Sequence, residues 1–237
     1  MLMATLSRRT FALLAASAPA LALAPGRRAH AGDPMFGSAR PAVPPPLIVP
    51  SMGYPGMFQV PSAPGHYFAR APMARFWGQL PLVLFITQLS VEWALEHPTR
   101  PFGLGDLAHE DRRAMPDHKS HSTGLGVDLY VINKVGIQRG WDVERGPTGV
   151  TTIHQKGYDA ALTFELAQLV TKLKKDFPFI QALFNDEKVK KAMPHFHTDK
   201  EDRRSSQHDD HIHVLLQGKH PYTPERVAEL LRIRYDL

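Results

Sequence analysis

The 237-residue sequence contains no cysteine. Disulfides, thiolate metal ligands, a thiol nucleophile and a lipidated cysteine are all excluded, so any bound metal must be held by nitrogen and oxygen. Long apolar stretches are lacking too. The run from Ala12 to Ala24 is too short to span about 30 Å of hydrocarbon, and no later stretch is long and apolar enough either. Internal repeats are absent. Charge of one sign is also in short supply, despite a nominal +5. The first 31 residues hold Arg8, Arg9, Arg27 and Arg28 and no acid, and without them 24 basic residues face 23 acidic ones, a balance of +1. The basic character belongs to the leader, and no nucleic-acid partner is implied.

What is present begins with that leader. Ser7-Arg8-Arg9-Thr10-Phe11, the apolar run and Ala29-His30-Ala31 give a charged start, a short hydrophobic stretch and a small-x-small cleavage site. This is the layout of an export signal over residues 1–31, and the paired arginines resemble the twin-arginine type, whose cargo is exported folded. The expectation is a soluble periplasmic protein with no stable membrane anchor after cleavage. Residues 32–72, rich in Pro and Gly and including Pro44-Pro45-Pro46, read as an extended arm.

From residue 73 to the end the composition is that of one domain. Leu80 to Leu95 has helical apolar spacing, stopped by His97-Pro98. Trp77 and Trp93 read as packing residues. Phe102 to Leu107 suggests a short strand with a glycine kink, 107–126 a polar loop, and Val127 to Ile132 a central strand. Residues 133–157 read as a long loop. Asp159 is placed to cap a helix running to Lys175, with Leu162, Leu166, Leu169, Val170 and Leu173 as its buried stripe. Then follow a strand over Phe179–Phe184, a short helix over 186–193, a charged loop over 194–207, a last strand over Ile212–Leu216, and a helix opened by Thr223-Pro224. Strands and helices mix without βαβ regularity. The fold expected is α+β, a small antiparallel sheet flanked by helices.

Two stretches carry chemistry: His118-Lys-Ser-His121-Ser-Thr-Gly-Leu-Gly-Val-Asp128 and His208-Asp-Asp-His211-Ile-His213. In a strand, side chains alternate, so His211 and His213 share a face. Two imidazoles and a carboxylate form a three-ligand set that leaves zinc an open position, and the remaining histidine of the pair is free for proton transfer. Buried together without a partner, such groups would cost about 1–3 kcal/mol each, a cost that a metal removes. Asp209 shares parity with His211 and His213 and reads equally as a carboxylate orienting one of those rings or as a turn residue. His154 is undecided, because its loop is free to approach the site. His66, His97, His109, His195, His197 and His220 read as ordinary core or surface histidines.

The pattern Ser120-His121-x-x-Gly124-Leu125-x-Val127-Asp128, followed by His208-x-x-His211-Ile-His213-Val214, resembles the penicillin-insensitive murein endopeptidases, which belong to the LAS peptidases. The likeness covers most of residues 64–217 and includes Pro64-Gly65-His66-Tyr67, Phe76-Trp77-Gly78, Gly103-Leu104-Gly105-Asp106-Leu107, Leu183-Phe184-Asn185 and Val189-Lys190-Lys191-Ala192. The resemblance implies zinc, one per chain with a second position left open, and peptidoglycan as the substrate, cleaved at its peptide cross-links. It implies His121, Asp128 and His213 as zinc ligands, His118 as a further metal-binding histidine, His211 as general base, and His208 as a residue at the rim of the cleft. The sequence departs from the family at Gly126, where an acid is usual, and at Leu215-Leu216-Gln217, where an Arg and a Cys-Pro usually follow the strand. Two rivals stand beside the endopeptidase reading. A D-alanyl-D-alanine carboxypeptidase would use a glutamate base, and Asp210-His211 stands in that place; a non-catalytic zinc-dependent murein-binding protein would lack His211.

Overall fold

A computed structural model describes residues 48–69, 73–115, 120–136, 151–197 and 208–218. The leader, residues 32–47 of the arm, His118 and the helix expected from Thr223 lie outside the described residues. Among the described residues no helix is long and apolar enough to cross a membrane.

In chain order the strands and helices are β1 (Val49–Pro50), β2 (Met57–Gln59), β3 (His66–Phe68), β4 (Trp77–Gln79), α1 (Leu80–Glu96), β5 (Phe102–Leu104), β6 (Gly126–Tyr130), α2 (Ala160–Leu173), β7 (Phe179–Leu183), α3 (Glu187–Ala192), β8 (Phe196–His197) and β9 (His211–Leu216). The fold is α+β, as expected. Six strands form one sheet in the order β3-β5-β6-β9-β7-β8. Its inner strands β5, β6, β9 and β7 are antiparallel, as the sequence suggests, whereas the outer pairs β3–β5 and β7–β8 are parallel. A second, three-stranded sheet has the order β1-β2-β4.

Residues 48–69, which composition places in the arm, thus supply strands to both sheets. Proline and glycine do not prevent this: Pro50 lies in β1, the edge strand of the smaller sheet, where a missing N–H is tolerated, and the strands are only two or three residues long.

Helix α1 is buried along almost its whole length, with Leu82 to Val91 and Trp93 all inside. A helix apolar on every side belongs in a core, and this one packs with α2 against the sheet. Trp93 is fully buried and donates its indole N–H to Arg100 O at 2.6 Å, which agrees with a packing role. Asp159 caps α2 by accepting from Leu162 N, and Asp186 caps α3 by accepting from Lys188 N and Val189 N.

Alternation along the two central strands divides core from site. Val127 and Leu129 of β6 and Ile212, Val214 and Leu216 of β9 join the apolar core. Asp128 and Tyr130 of β6, with His211 and His213 of β9, fall on the other face. The core therefore fixes, by parity alone, which side chains are left to do chemistry.

Candidate metal centre

Three segments converge on this second face. His121 begins a single 3-10 turn, His121–Thr123. Gly124 ends it at φ 73, a left-handed conformation natural to glycine, and its N–H returns to His121 O at 3.0 Å. The turn is tied to the smaller sheet by Gln79, whose backbone N–H donates to Gly124 O at 2.7 Å and whose side-chain amide donates to Thr123 O at 2.7 Å.

Asp128 is held in β6 opposite His213 of β9, and Tyr130 opposite His211. On its other side the Asp128 backbone pairs with Gly105 N at 2.8 Å and with Asp106 O at 3.1 Å. A side chain on Gly105 would put its Cβ 2.9 Å from the Asp128 Cβ, so only glycine allows this approach.

One carboxylate oxygen gathers three imidazoles. Asp128 Oδ1 lies 2.8 Å from His213 Nδ1, 3.3 Å from His121 Nε2 and 3.4 Å from His211 Nε2. All four residues are buried. Burial alone would raise the Asp128 carboxyl, but the imidazoles of His121 and His211, with hydrogen bonding from His121 and His213, hold it well below the usual carboxylate range. The far nitrogen of His213, Nε2, lies 3.2 Å from Ser120 Oγ, so both of its ring nitrogens are engaged.

His208 sits inside the cluster rather than at an edge. It is buried, with its ring centroid 5.0 Å from that of His211 and 5.9 Å from that of His213. Burial, reinforced by those two imidazoles, pushes it down to about 3, so it is neutral at physiological pH. Two donor sets fit a metal ion: His121, Asp128 and His213, and His208, His211 and His213. In each, one donor atom per residue lies within 4.8 Å of the others. Nitrogen and carboxylate oxygen are the donors that zinc and its first-row neighbours accept.

Residues 55–223 match the profile of the penicillin-insensitive murein endopeptidases. The chain belongs to this family. Murein endopeptidases are peptidases that act on peptidoglycan, and the buried histidine–aspartate cluster lies within the matched residues. Comparison with curated proteins gives no significant match.

His121, Asp128, His208, His211 and His213, which the sequence singles out, all come together in the structure. It places Asp209 elsewhere: one oxygen accepts from Asn185 Nδ2 at 2.6 Å, the other lies 3.3 Å from His154 Nε2, and neither of these partners belongs to the cluster. His154 therefore approaches the site through Asp209, with its own side chain 73 % exposed. Two contributors escaped the sequence reading. Ser120 reaches His213, and Asp210 Oδ1 lies 2.7 Å from His211 Nδ1. Ser120 stands at the start of the Ser120–Asp128 motif, where nothing local gives it a role. Asp210 carried a weak signal, since a residue adjacent to a strand histidine normally points to the opposite face.

Proposed function

We propose that the chain is a zinc-dependent endopeptidase that hydrolyses D-alanyl–diaminopimelate cross-links of peptidoglycan, acting in the periplasm after export by the leader over residues 1–31. The observation that carries this reading is the convergence of three imidazoles on the single buried oxygen of Asp128. His121, Asp128 and His213 are the ligand set in this reading, with His118 as a further contributor. When bound, zinc supplies Lewis acidity, polarising the scissile carbonyl and bringing the pKa of water from about 15.7 towards about 7.

The chain's own residues do the rest. His211 accepts the proton of the attacking water at Nε2 and delivers it to the leaving amine nitrogen, so that the C–N bond breaks as a neutral amine departs. Asp128 stays ionised because its neighbours favour the charged form, and it keeps a negative charge at the centre of the site. His208, neutral and buried, lines the same face. No glutamate stands beside the last histidine, where the carboxypeptidase rival would need one; Asp210 and His211 stand there.

The test is digestion of purified muropeptide dimers. Conversion to monomers that stops with a chelator and returns with zinc is the expected result. Dimers left intact by zinc-loaded protein, or cleaved equally well after complete metal removal, would overturn the proposal.

A further inference from the structure

We infer that Asp210 is a positioning residue, holding the His211 ring through its Nδ1–H so that Nε2 is aimed at the side where Asp128 lies. This rests on the reading of His211 as the general base. A carboxylate is an acceptor only, so its 2.7 Å approach to Nδ1 requires the ring hydrogen to be there. The opposite nitrogen lies 3.4 Å from Asp128 Oδ1, on the side where the ligand donors meet. A group that exchanges a proton there must keep this nitrogen turned in that direction, and the bond at the other nitrogen fixes the ring's orientation.

Sequence neighbours rarely meet in this way. Along a strand Asp210 and His211 would point to opposite faces, but Asp210 lies in the turn that precedes β9, where its carboxylate can swing back onto the next ring. That turn is rigidly held. Its three successive carbonyls each accept from a different segment: His208 O from Asn185 N at 3.1 Å, Asp209 O from Ile153 N at 2.9 Å, and Asp210 O from Val131 N at 3.0 Å. Asp209 is committed to Asn185 and His154, so the task of orienting His211 falls to Asp210 alone of the two acids. With the His211 side chain only 10 % exposed, water competes poorly for Nδ1.

The test uses the full chain, its Asp210→Ala variant and the milder Asp210→Asn. Nitrogen-15 spectra of the metal-free proteins report which His211 ring nitrogen carries a hydrogen, without reference to activity. Wild type should show His211 protonated at Nδ1, and Asp210→Ala should shift it towards Nε2. With zinc restored, Asp210→Ala should lose at least about 10–100-fold in kcat, the cost of removing the partner that orients a metal-site histidine. KM and bound zinc should be unchanged. Asp210→Asn, whose amide can satisfy either tautomer, should fall between. An Nε2–H tautomer in wild type overturns the inference, as does Asp210→Ala with wild-type kcat. A lowered melting temperature and raised KM with no change of tautomer would make Asp210 merely structural, and the inference fails there too. If wild type cleaves no dimers, the proposed activity fails, while the spectra still decide the tautomer.

Discussion

Asp128 and His213 face each other across β6 and β9 as a direct cross-strand pair, with Oδ1 2.8 Å from Nδ1. The contact joins residues 85 positions apart in sequence. Because it is set by strand register rather than by a loop, it is as firmly placed as the sheet itself. His121 and His211 approach the same oxygen, at 3.3 and 3.4 Å.

Removing Asp128 or His121 should strip metal and activity together, because two protein donors do not hold zinc at the affinity of three. Asp128→Ala and His121→Ala are each expected to show little bound zinc by elemental analysis and no dimer cleavage. Full occupancy in either variant would contradict the ligand assignment.

His211→Ala should behave differently. Near-stoichiometric zinc and a similar melting temperature are expected, with a rate loss of roughly 10²–10⁴-fold, the worth of a positioned general base. Zinc content, melting curve and dimer-cleavage rate on one preparation separate the possibilities. Loss of zinc would make His211 a ligand, and a wild-type rate would remove it from the mechanism.

Gly105→Ala tests whether the site depends on the close approach of β5 and its following residues to Asp128. The added methyl would lie 2.9 Å from the Asp128 Cβ, so one backbone must give way. Overpacking of this kind costs about 1–3 kcal/mol, and here the displaced group is a proposed ligand. Chelator competition should show weaker zinc binding in addition to a lower melting temperature. A variant with normal stability and normal affinity would show that the strands separate without consequence.

His66 predicts an acid limb of stability. It is buried between Phe68 and Phe102, with Nδ1 2.6 Å from Ser90 Oγ, and burial lowers it from 6.5 to about 4. The unfolded chain therefore takes up this proton near pH 6.5 and the folded chain only near 4. The contribution of His66 is intact above pH 6.5, falls as pH drops from 6.5 to about 4, and is flat below. The loss over that window is about 3 kcal/mol. Denaturant unfolding at several pH values, for wild type and His66→Gln, should give curves whose difference narrows across this window. A constant difference would show that His66 does not titrate on unfolding.

Parity and capping were readable in the sequence, and register was not. The alternation His211-Ile212-His213 placed two imidazoles on one face, and Asp159 announced the start of α2, because both depend only on neighbouring residues. The cross-strand partnership of Asp128 with His213 depends on which residues of two distant strands align, and nothing local encodes that. The strands at residues 49–50, 57–59 and 66–68 were hidden for a related reason: two or three residues are too few to show a period, and the surrounding prolines and glycines read as arm. Asp209 and Asp210 show the same limit within a single turn. Parity left Asp209 equally able to face the rings or to belong to a turn; it lies in the turn, which obeys no alternation, and it is Asp210 that meets His211.

The five-rung ladder from Gly126–Leu215 to Tyr130–His211 also restricts how this gene segment can vary. A slip of one residue turns every side chain of a strand to the opposite face. Deleting one codon between Asp128 and Tyr130, or inserting one between His211 and His213, would exchange donor for core in a single step. These two strands are thus free to drift by substitution but not by length. Length variants surviving in a mutagenised library should begin only beyond the ends of the ladder.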